Sequence, residues 1–250
     1  MTDVIAIIPA RAGSKSILDK NITCLSRHPL IAYSIAAAQL STEIDRVIVS
    51  TDSEQYAKIA IKYGAEVPFL RPQEFATDAS TDRDFLVHAM EWFDDNESQT
   101  AEYWVHLRPT TPLRDPVLID KAIKTIQQRK DATSLRSGHK ASESPFKWFR
   151  KDSSGFFKGI LAKVNNSESY NLPKETFEDV YIPNGYVDVV RKSYILSNDT
   201  IHGERMIAFE SPVCTEVDSV EEFEYIQYQI SKNGVPLIKY LDNYLLSEDK

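Results

Sequence analysis

The chain has 250 residues, and 29 Lys and Arg against 37 Asp and Glu leave a formal charge of −8. Its 42% apolar and 10% aromatic content supplies a real core, which excludes disorder as the ground state. The acidic balance argues against a nucleic-acid partner, whose binding rests on neutralising phosphates, but leaves room for a small anion on a local basic cluster.

In chain order, Val4-Ile5-Ala6-Ile7-Ile8 is a continuous apolar run ended by Pro9, the pattern of a strand buried on both faces of a parallel sheet. A polar loop from Ala10 to Asn21 follows. Leu30 to Leu40 is Ala-rich with helical spacing, after Pro29 at a helix start. Arg46 to Ser50 reads as a second strand, Thr51-Asp52-Ser53 as a cap, and Glu54 to Tyr63 as a helix stopped by Gly64. Glu66 to Leu70 is short and extended. Asp82 to Phe93 is a helix, Tyr103 to Leu107 a strand, and Asp115 to Arg129 a helix with Pro116 in its first turn. This alternation predicts an α/β fold with a doubly wound, mostly parallel sheet. The pattern changes near Ala132. From Ser137 to Tyr194 there is little helical period, and Trp148, Phe149, Phe156 and Phe157 surround a hairpin turn at Asp152-Ser153-Ser154-Gly155. The expectation is one domain over residues 1–250 with an inserted β-rich lobe at about 137–194, its aromatics serving as core or subunit interface rather than as a ligand cage. Helix returns at Ser219 to Ser231.

Membrane and export signals are not expected. No apolar run approaches the roughly 18 residues of a spanning helix, and Met1-Thr2-Asp3-Val4 does not lead from basic residues into an apolar stretch. Cys24 and Cys214 are too few for a disulfide framework and read as structural thiols, which fits a reducing cytoplasm. His28, His88, His106, His139 and His202 show no metal-ligand spacing. His106, inside an apolar strand, is expected to be a satisfied core residue.

Of the eight glycines only Gly13 lies in the first 63 residues, and neither G-x-G-x-x-G nor G-x-x-x-x-G-K-[ST] occurs. The Rossmann and Walker A phosphate loops are therefore excluded. The loop after the first strand nevertheless carries Arg11, Lys15 and Lys20 beside Gly13 and Ser14. Loops at the carboxyl ends of strands bind ligands in open α/β sheets. Backbone N–H groups near a glycine, with cations around them, suit a polyphosphate. On composition alone a solvated basic loop explains these residues equally well.

The order of residues decides between the two. Ala10-Arg11-x-Gly13-Ser14-Lys15-x-Ile17-x-x-Lys20-Asn21 resembles the opening of the CMP–sialic acid synthetases, the acylneuraminate cytidylyltransferases. Further blocks follow in family order. Val47 to Ser53 resembles the second strand and turn, and Phe69 to Thr81, with Arg71-Pro72-Gln73-Glu74-Phe75-Ala76-Thr77-Asp78, resembles R-P-x-E-L-A-T-D. Arg108 to Arg114 resembles Q-P-T-S-P-L-R, Asn184-Gly185 the later N-G, and Glu216-Val217-Asp218-Ser219 the terminal D-I-D-T.

The resemblance implies a nucleotidyltransferase-type, Rossmann-like fold with a dimerisation lobe. It implies transfer of CMP from CTP to the anomeric hydroxyl of a nonulosonic acid, with pyrophosphate released, for cell-surface glycan synthesis. It places Arg11, Lys15, Lys20 and Asp218 in catalysis. The nucleotide falls to Ala10, Arg11, Gly13, Ser14, Lys15, Lys20, Asn21, Arg71, Ser80 and Thr81, with Ser80 or Thr81 reading the cytosine. Arg108, Thr110, Thr111, Asn184 and Gly185 fall to the sugar. Glu216 and Asp218, two apart on an extended segment and so on one face, would hold Mg²⁺, with Mn²⁺ as the alternative ion. The implied partners are CTP, an acidic sugar and a second copy of the chain.

Three departures fall near the reaction. The family usually has Asp at Glu216, commonly Gln at Arg108, and in many sialic-acid enzymes Arg at Ile182. Arg108 is expected to take over part of the carboxylate recognition that Ile182 cannot supply, or to pair with an acid of the chain. Ile17 to Asn21 and Pro183 to Tyr186 look closer to bacterial legionaminic-type synthetases. The alternatives are a cytidylyltransferase for the eight-carbon sugar acid of lipopolysaccharide and a non-catalytic nucleotide-binding module.

Overall fold

The computed structural model describes residues 3–97, 101–160 and 168–248. Its strands are β1 (Val4–Pro9), the two-residue β2 (Cys24–Leu25) and β3 (His28–Pro29), β4 (Arg46–Ser50), β5 (Tyr103–His106), β6 (Ser134–Lys140), β7 (Phe149–Lys151), β8 (Phe157–Gly159), β9 (Tyr181–Arg191) and β10 (Met206–Glu210). The helices are α1 (Leu30–Gln39), α2 (Glu54–Lys62), α3 (Asp82–Asn96), α4 (Pro116–Gln128), α5 (Lys192–Ser197), α6 (Val220–Asn233) and α7 (Pro236–Glu248).

Six strands form the central sheet in the order β10-β6-β9-β5-β1-β4. The pairs β1–β4, β1–β5 and β6–β10 are parallel, and β9 runs antiparallel to both of its neighbours. β1 is apolar throughout because both of its faces are covered. Val4, Ala6 and Ile8 pack into a core with residues of α1, α4, α6 and α7, whereas Ile5 and Ile7 pack with α3 and α5. α1 is buried from Leu30 to Ala38, which explains its Ala-rich sequence and weak amphipathicity. Ser53 caps α2 by accepting from the Tyr56 N–H at 3.3 Å, and Asp115 caps α4 ahead of Pro116. Asp84 accepts from the Thr81 N–H at 2.6 Å at the start of α3.

The elements of the first 130 residues lie where their patterns predict. The segment 137–194 is β-rich and is joined to the central sheet at both ends. Its ends, β6 and β9, pair with each other inside the central sheet. The hairpin β7–β8, with its turn at Asp152 to Gly155, forms a separate ladder between them. Residues 161–167 of the expected lobe lie outside the described residues. Trp148, Phe149, Phe156 and Phe157 are exposed, the last at 73%, so they are not core of the chain. Cys24 is exposed rather than structural, while half-buried Cys214 donates its thiol to the Asn184 carbonyl at 3.2 Å, and burial raises it to about 11.

Candidate active site

The carboxyl ends of β1, β4 and β5 open onto one cleft of about 240 Å³. From the first loop it is lined by Arg11, Ser14, Lys20 and Asn21; from the segment before α3 by Arg71, Ser80 and Thr81; from the loop after β5 by Arg108 and Thr110. The fold thus gathers nine of the sequence-derived residues from three distant segments.

The first loop is pinned from beneath. Ala10, fully buried, donates its N–H to the Ser50 carbonyl at 2.9 Å, and Asp52 accepts the Ala12 N–H at 2.8 Å. Gly13 sits at φ +74 with open space where a Cβ would stand, so backbone conformation alone calls for glycine there. Asn21 is buried and donates to the Arg11 carbonyl at 3.0 Å, holding the loop's shape. Arg11 and exposed Lys15 both pair with Asp78, Arg11 at 2.9 Å. The two cations hold the Asp78 carboxyl below its ordinary range, Lys15 more strongly than Arg11.

Lys20 is buried, and its ammonium donates to the Val217 carbonyl at 2.8 Å and to Asp218 at 3.1 Å. The opening loop therefore meets the terminal acidic pair directly. Val217 is fully buried, and its N–H donates to the Thr110 carbonyl at 2.7 Å, which fixes the Glu216–Asp218 segment against the cleft wall. Burial raises the pKa of half-buried Glu216; Arg108 opposes that shift and Asp218 adds to it. Among the described residues no group of three or more His, Cys, Asp and Glu is arranged around a metal position. Two carboxylates nevertheless suit Mg²⁺, which takes its remaining oxygens from substrate phosphates and water.

Arg71 is buried, donates to Ser50 Oγ at 3.0 Å and to the Ser50 carbonyl at 2.6 Å, and stacks over Phe85. Burial lowers it to about 10. Ser80 Oγ donates to the Glu74 carbonyl at 3.1 Å, while Thr81 is exposed at the head of α3.

Among the residues expected to take the sugar, the geometry departs from expectation. Arg108 is clamped, donating to Asp188 at 2.9 Å and to Asp82 at 2.7 Å. Desolvation pulls its pKa down, but the two carboxylates outweigh that and hold it above its ordinary value. Of the two expectations for Arg108, the pairing with acids of the chain is the one present. Asn184 is buried with its amide engaged: Oδ1 accepts from Ser137 at 3.0 Å, and Nδ2 donates to Ser211 at 2.7 Å. It shapes the backbone rather than presenting its side chain. Gly185 has φ +59, and a Cβ there would lie 3.1 Å from Thr111 Oγ1 and 3.2 Å from Glu216 Oε1. The backbone conformation favours glycine there, and a Cβ would crowd both side chains. Thr111 is buried with its hydroxyl unpartnered. His106 is not satisfied: Nε2 has no partner, and burial holds its pKa well below the ordinary value.

Sequence reasoning missed Asp78, Asp82, Asp188 and Arg114. Arg114 is fully enclosed and donates to the carbonyls of Arg108, Thr111, Gly185 and Tyr186, tying the loop after β5 to β9. An acid inside the apolar run Val187-Asp188-Val189-Val190 was the available signal, because a buried charge in a strand demands a partner.

A sequence profile described as cytidylyltransferase matches residues 5–225, from β1 into α6. The chain belongs to the cytidylyltransferase family. The chain is 32% identical to an N-acylneuraminate cytidylyltransferase of Escherichia coli O18:K1:H7 over 97% of its own length, and it spans 56% of that relative. It is 33% identical to the CMP-N,N'-diacetyllegionaminic acid synthase of Legionella pneumophila, with 80% of this chain and 83% of that one covered. A solved CMP:2-keto-3-deoxy-manno-octonic acid synthetase, complexed with CTP, shares the fold at TM-score 0.69 and 14% identity, over 92% of this chain and 99% of that chain. No helix among the described residues is long and apolar enough to cross a membrane.

Proposed function

We propose that this cytidylyltransferase transfers CMP from CTP to the anomeric hydroxyl of a nonulosonic acid of the sialic or legionaminic type. The observation that carries the reading is the contact of Lys20 with Asp218 at the edge of a cleft that also holds Arg11, Arg71 and Arg108. The relatives named for N-acylneuraminate and diacetyllegionaminic acid support the substrate class.

In the reaction the anomeric oxygen attacks the α-phosphorus in line. One P–O bond forms, the bond to the β-phosphate oxygen breaks, pyrophosphate leaves, and the hydroxyl proton is released. Such a transfer needs positioning and charge neutralisation above all. Arg11 and Lys15 exchange Asp78 for the triphosphate, and Lys20 adds a buried cation beside it. Ser80 or Thr81 reads the base next to Arg71. Glu216 and Asp218 would hold Mg²⁺, which when bound neutralises phosphate charge and polarises the α-phosphoryl group. Arg108, Thr110, Thr111 and the backbone at Gly185 border the acid sugar. The exposed aromatics of the hairpin pair two chains into a homodimer, and the reaction belongs in the reducing cytoplasm.

The test is pyrophosphate release from CTP with N-acetylneuraminic acid, diacetyllegionaminic acid and the eight-carbon 3-deoxy-octulosonic acid. Turnover with either nine-carbon acid supports the reading, and turnover with the eight-carbon acid alone overturns it. No release with any of the three sinks the transferase assignment.

A further inference from the structure

A second concavity lies beside the cleft, beyond β9. Arg136, Asp188 and His106 stand opposite one another across β6, β9 and β5, and Ala208 of β10 stands opposite Arg136. Cross-strand partners share a face, here the one covered by α3 nearer the middle of the sheet. The core on that face draws no residue from β6 or β10. What stands there instead is a cavity of about 440 Å³, walled by Met206, Ala208, Pro183 and Tyr181, with Arg136 and Glu210 as its charged groups. That volume falls within the roughly 300–1,000 Å³ of small-molecule sites.

Asp188 separates the two spaces. Its Oδ2 accepts from Arg108, which lines the nucleotide cleft, at 2.9 Å. Its Oδ1 faces Arg136 Nε at 3.8 Å, beyond hydrogen-bond length, and both of those atoms are buried without a partner. Arg136 Nη1 meets His202 Nε2 at 3.3 Å, an imidazole whose pKa burial lowers. Among the described residues Asp188 at 3.8 Å is the one carboxylate paired with Arg136, whereas Arg108 is held by two at close range. Of the two arginines, Arg136 is the one with charge and donors to offer a ligand.

We propose that Arg136 is a specificity-determining residue that pairs with the carboxylate of the acidic sugar in this second cavity, while Arg108 stays clamped at its boundary with the nucleotide cleft. The inference rests on the cytidylyl-transfer reading above. A carboxylate in a partly closed site needs a cation, and a guanidinium offers it two parallel donors. The apolar wall of Met206, Ala208 and Pro183 suits the methyl groups of acyl substituents, and Glu210 can accept from a hydroxyl or amide N–H. One carboxylate's width separates the two guanidinium groups. Asp188 contacts both Arg136 and Arg108, so the proposed carboxylate subsite borders the nucleotide cleft.

Steady-state kinetics on the full chain test this, using CTP with N-acetylneuraminic acid, its carboxamide, and diacetyllegionaminic acid. Arg136→Gln is expected to raise KM for the acid about tenfold or more, leave that for CTP within about twofold, and erase the preference for acid over carboxamide. Arg136→Lys should restore part of that preference. Ala208→Phe narrows the cavity without removing a charge and should also raise KM for the acids. Circular-dichroism melts confirm that each variant is folded. An unchanged acid KM in either Arg136→Gln or Ala208→Phe, an intact acid-over-amide preference, or an equal rise for CTP overturns the proposal. If the unaltered enzyme releases no pyrophosphate with any acid, the cytidylyl-transfer reading itself falls, and this assignment falls with it.

Discussion

Lys20 Nζ lies 3.1 Å from Asp218 Oδ1, a contact between residues 198 positions apart that joins the two ends of the catalytic reading. The ammonium is buried and also held by the Val217 carbonyl, so its position is set before any nucleotide arrives. Lys20→Ala is expected to cut turnover by a factor of about 10²–10³, the usual loss when a prepositioned donor is removed. Pyrophosphate release checks it, and turnover within threefold of the parent, as an order-of-magnitude threshold, would remove Lys20 from the mechanism.

The same contact orders the two carboxylates proposed to hold Mg²⁺. Asp218 is exposed and pairs with Lys20, while Glu216 is half-buried beside Gly185 and Arg108. Activity is expected to vanish in EDTA and return with Mg²⁺. Asp218→Asn should lose more than Glu216→Gln, because it also weakens the hold on Lys20. The order of the two residual rates decides, and full activity of Asp218→Asn at ordinary Mg²⁺ contradicts the assignment.

The central sheet was legible because its strands obey simple periods: β1 is apolar on both faces, and β4 is followed by a helix capped by Ser53. Residues gathered by the cleft were legible because they come in short ordered blocks around Arg11, Arg71 and Arg108. The acids that hold those cations were not. Asp78 and Asp188 meet Arg11 and Arg108 from 67 and 80 positions away, and ion pairing between distant segments leaves no local spacing to read. How the β-rich segment joins the sheet was not legible for a related reason. β6 and β9 lack helical period, but their pairing with β5 and β10 is decided by the sheet, not by the sequence between them.

The hairpin aromatics give an assembly prediction. Phe156 and Phe157 are 70% and 73% exposed, and Phe149 stacks edge-on against Tyr170 next to Phe157. An apolar patch of this kind favours a symmetric partner. Light scattering should give twice the 28.4 kDa chain mass at micromolar concentration. Phe157→Glu should shift the particle toward the single chain. A single-chain mass for the parent protein would contradict the dimer.

One buried and two half-buried histidines set a pH dependence. Burial lowers the pKa of His106 strongly, and those of His88 and His202 to a lesser degree. Below about pH 6.5 the unfolded chain binds protons that the folded chain refuses. Stability is therefore fully present above the unfolded value and is lost as pH falls toward the folded one. Urea midpoints should drop steadily as pH falls from about 7 to about 5, from just above the ordinary histidine value of about 6.5 to well below it. His106→Phe, should it fold, is expected to flatten that slope, and an unchanged slope would mean that His106 takes no part.

The Arg108–Asp188 pair supports a sharper test, because two roles for Arg108 predict different measurements. If Arg108 were simply the free partner of a substrate carboxylate, Arg108→Gln would weaken sugar binding and leave the fold as stable as before. In the structure, however, Asp188 is 1% exposed and depends on Arg108 at 2.9 Å, with Arg136 no nearer than 3.8 Å. Removing Arg108 strands a buried carboxylate, and breaking one side of a buried ion pair costs about 3–5 kcal/mol. Arg136 can swing toward Asp188 and recover some of that, so the lower end of the range is expected. Adding Asp188→Asn to Arg108→Gln removes the stranded charge and should return most of the stability. Urea unfolding of the parent, both single variants and the double variant gives the coupling directly. A large negative coupling between the two positions establishes Arg108 as the clamp of Asp188. Additive effects near zero would return Arg108 to the ligand, and the carboxylate of the sugar would then be sought on Arg108 rather than on Arg136.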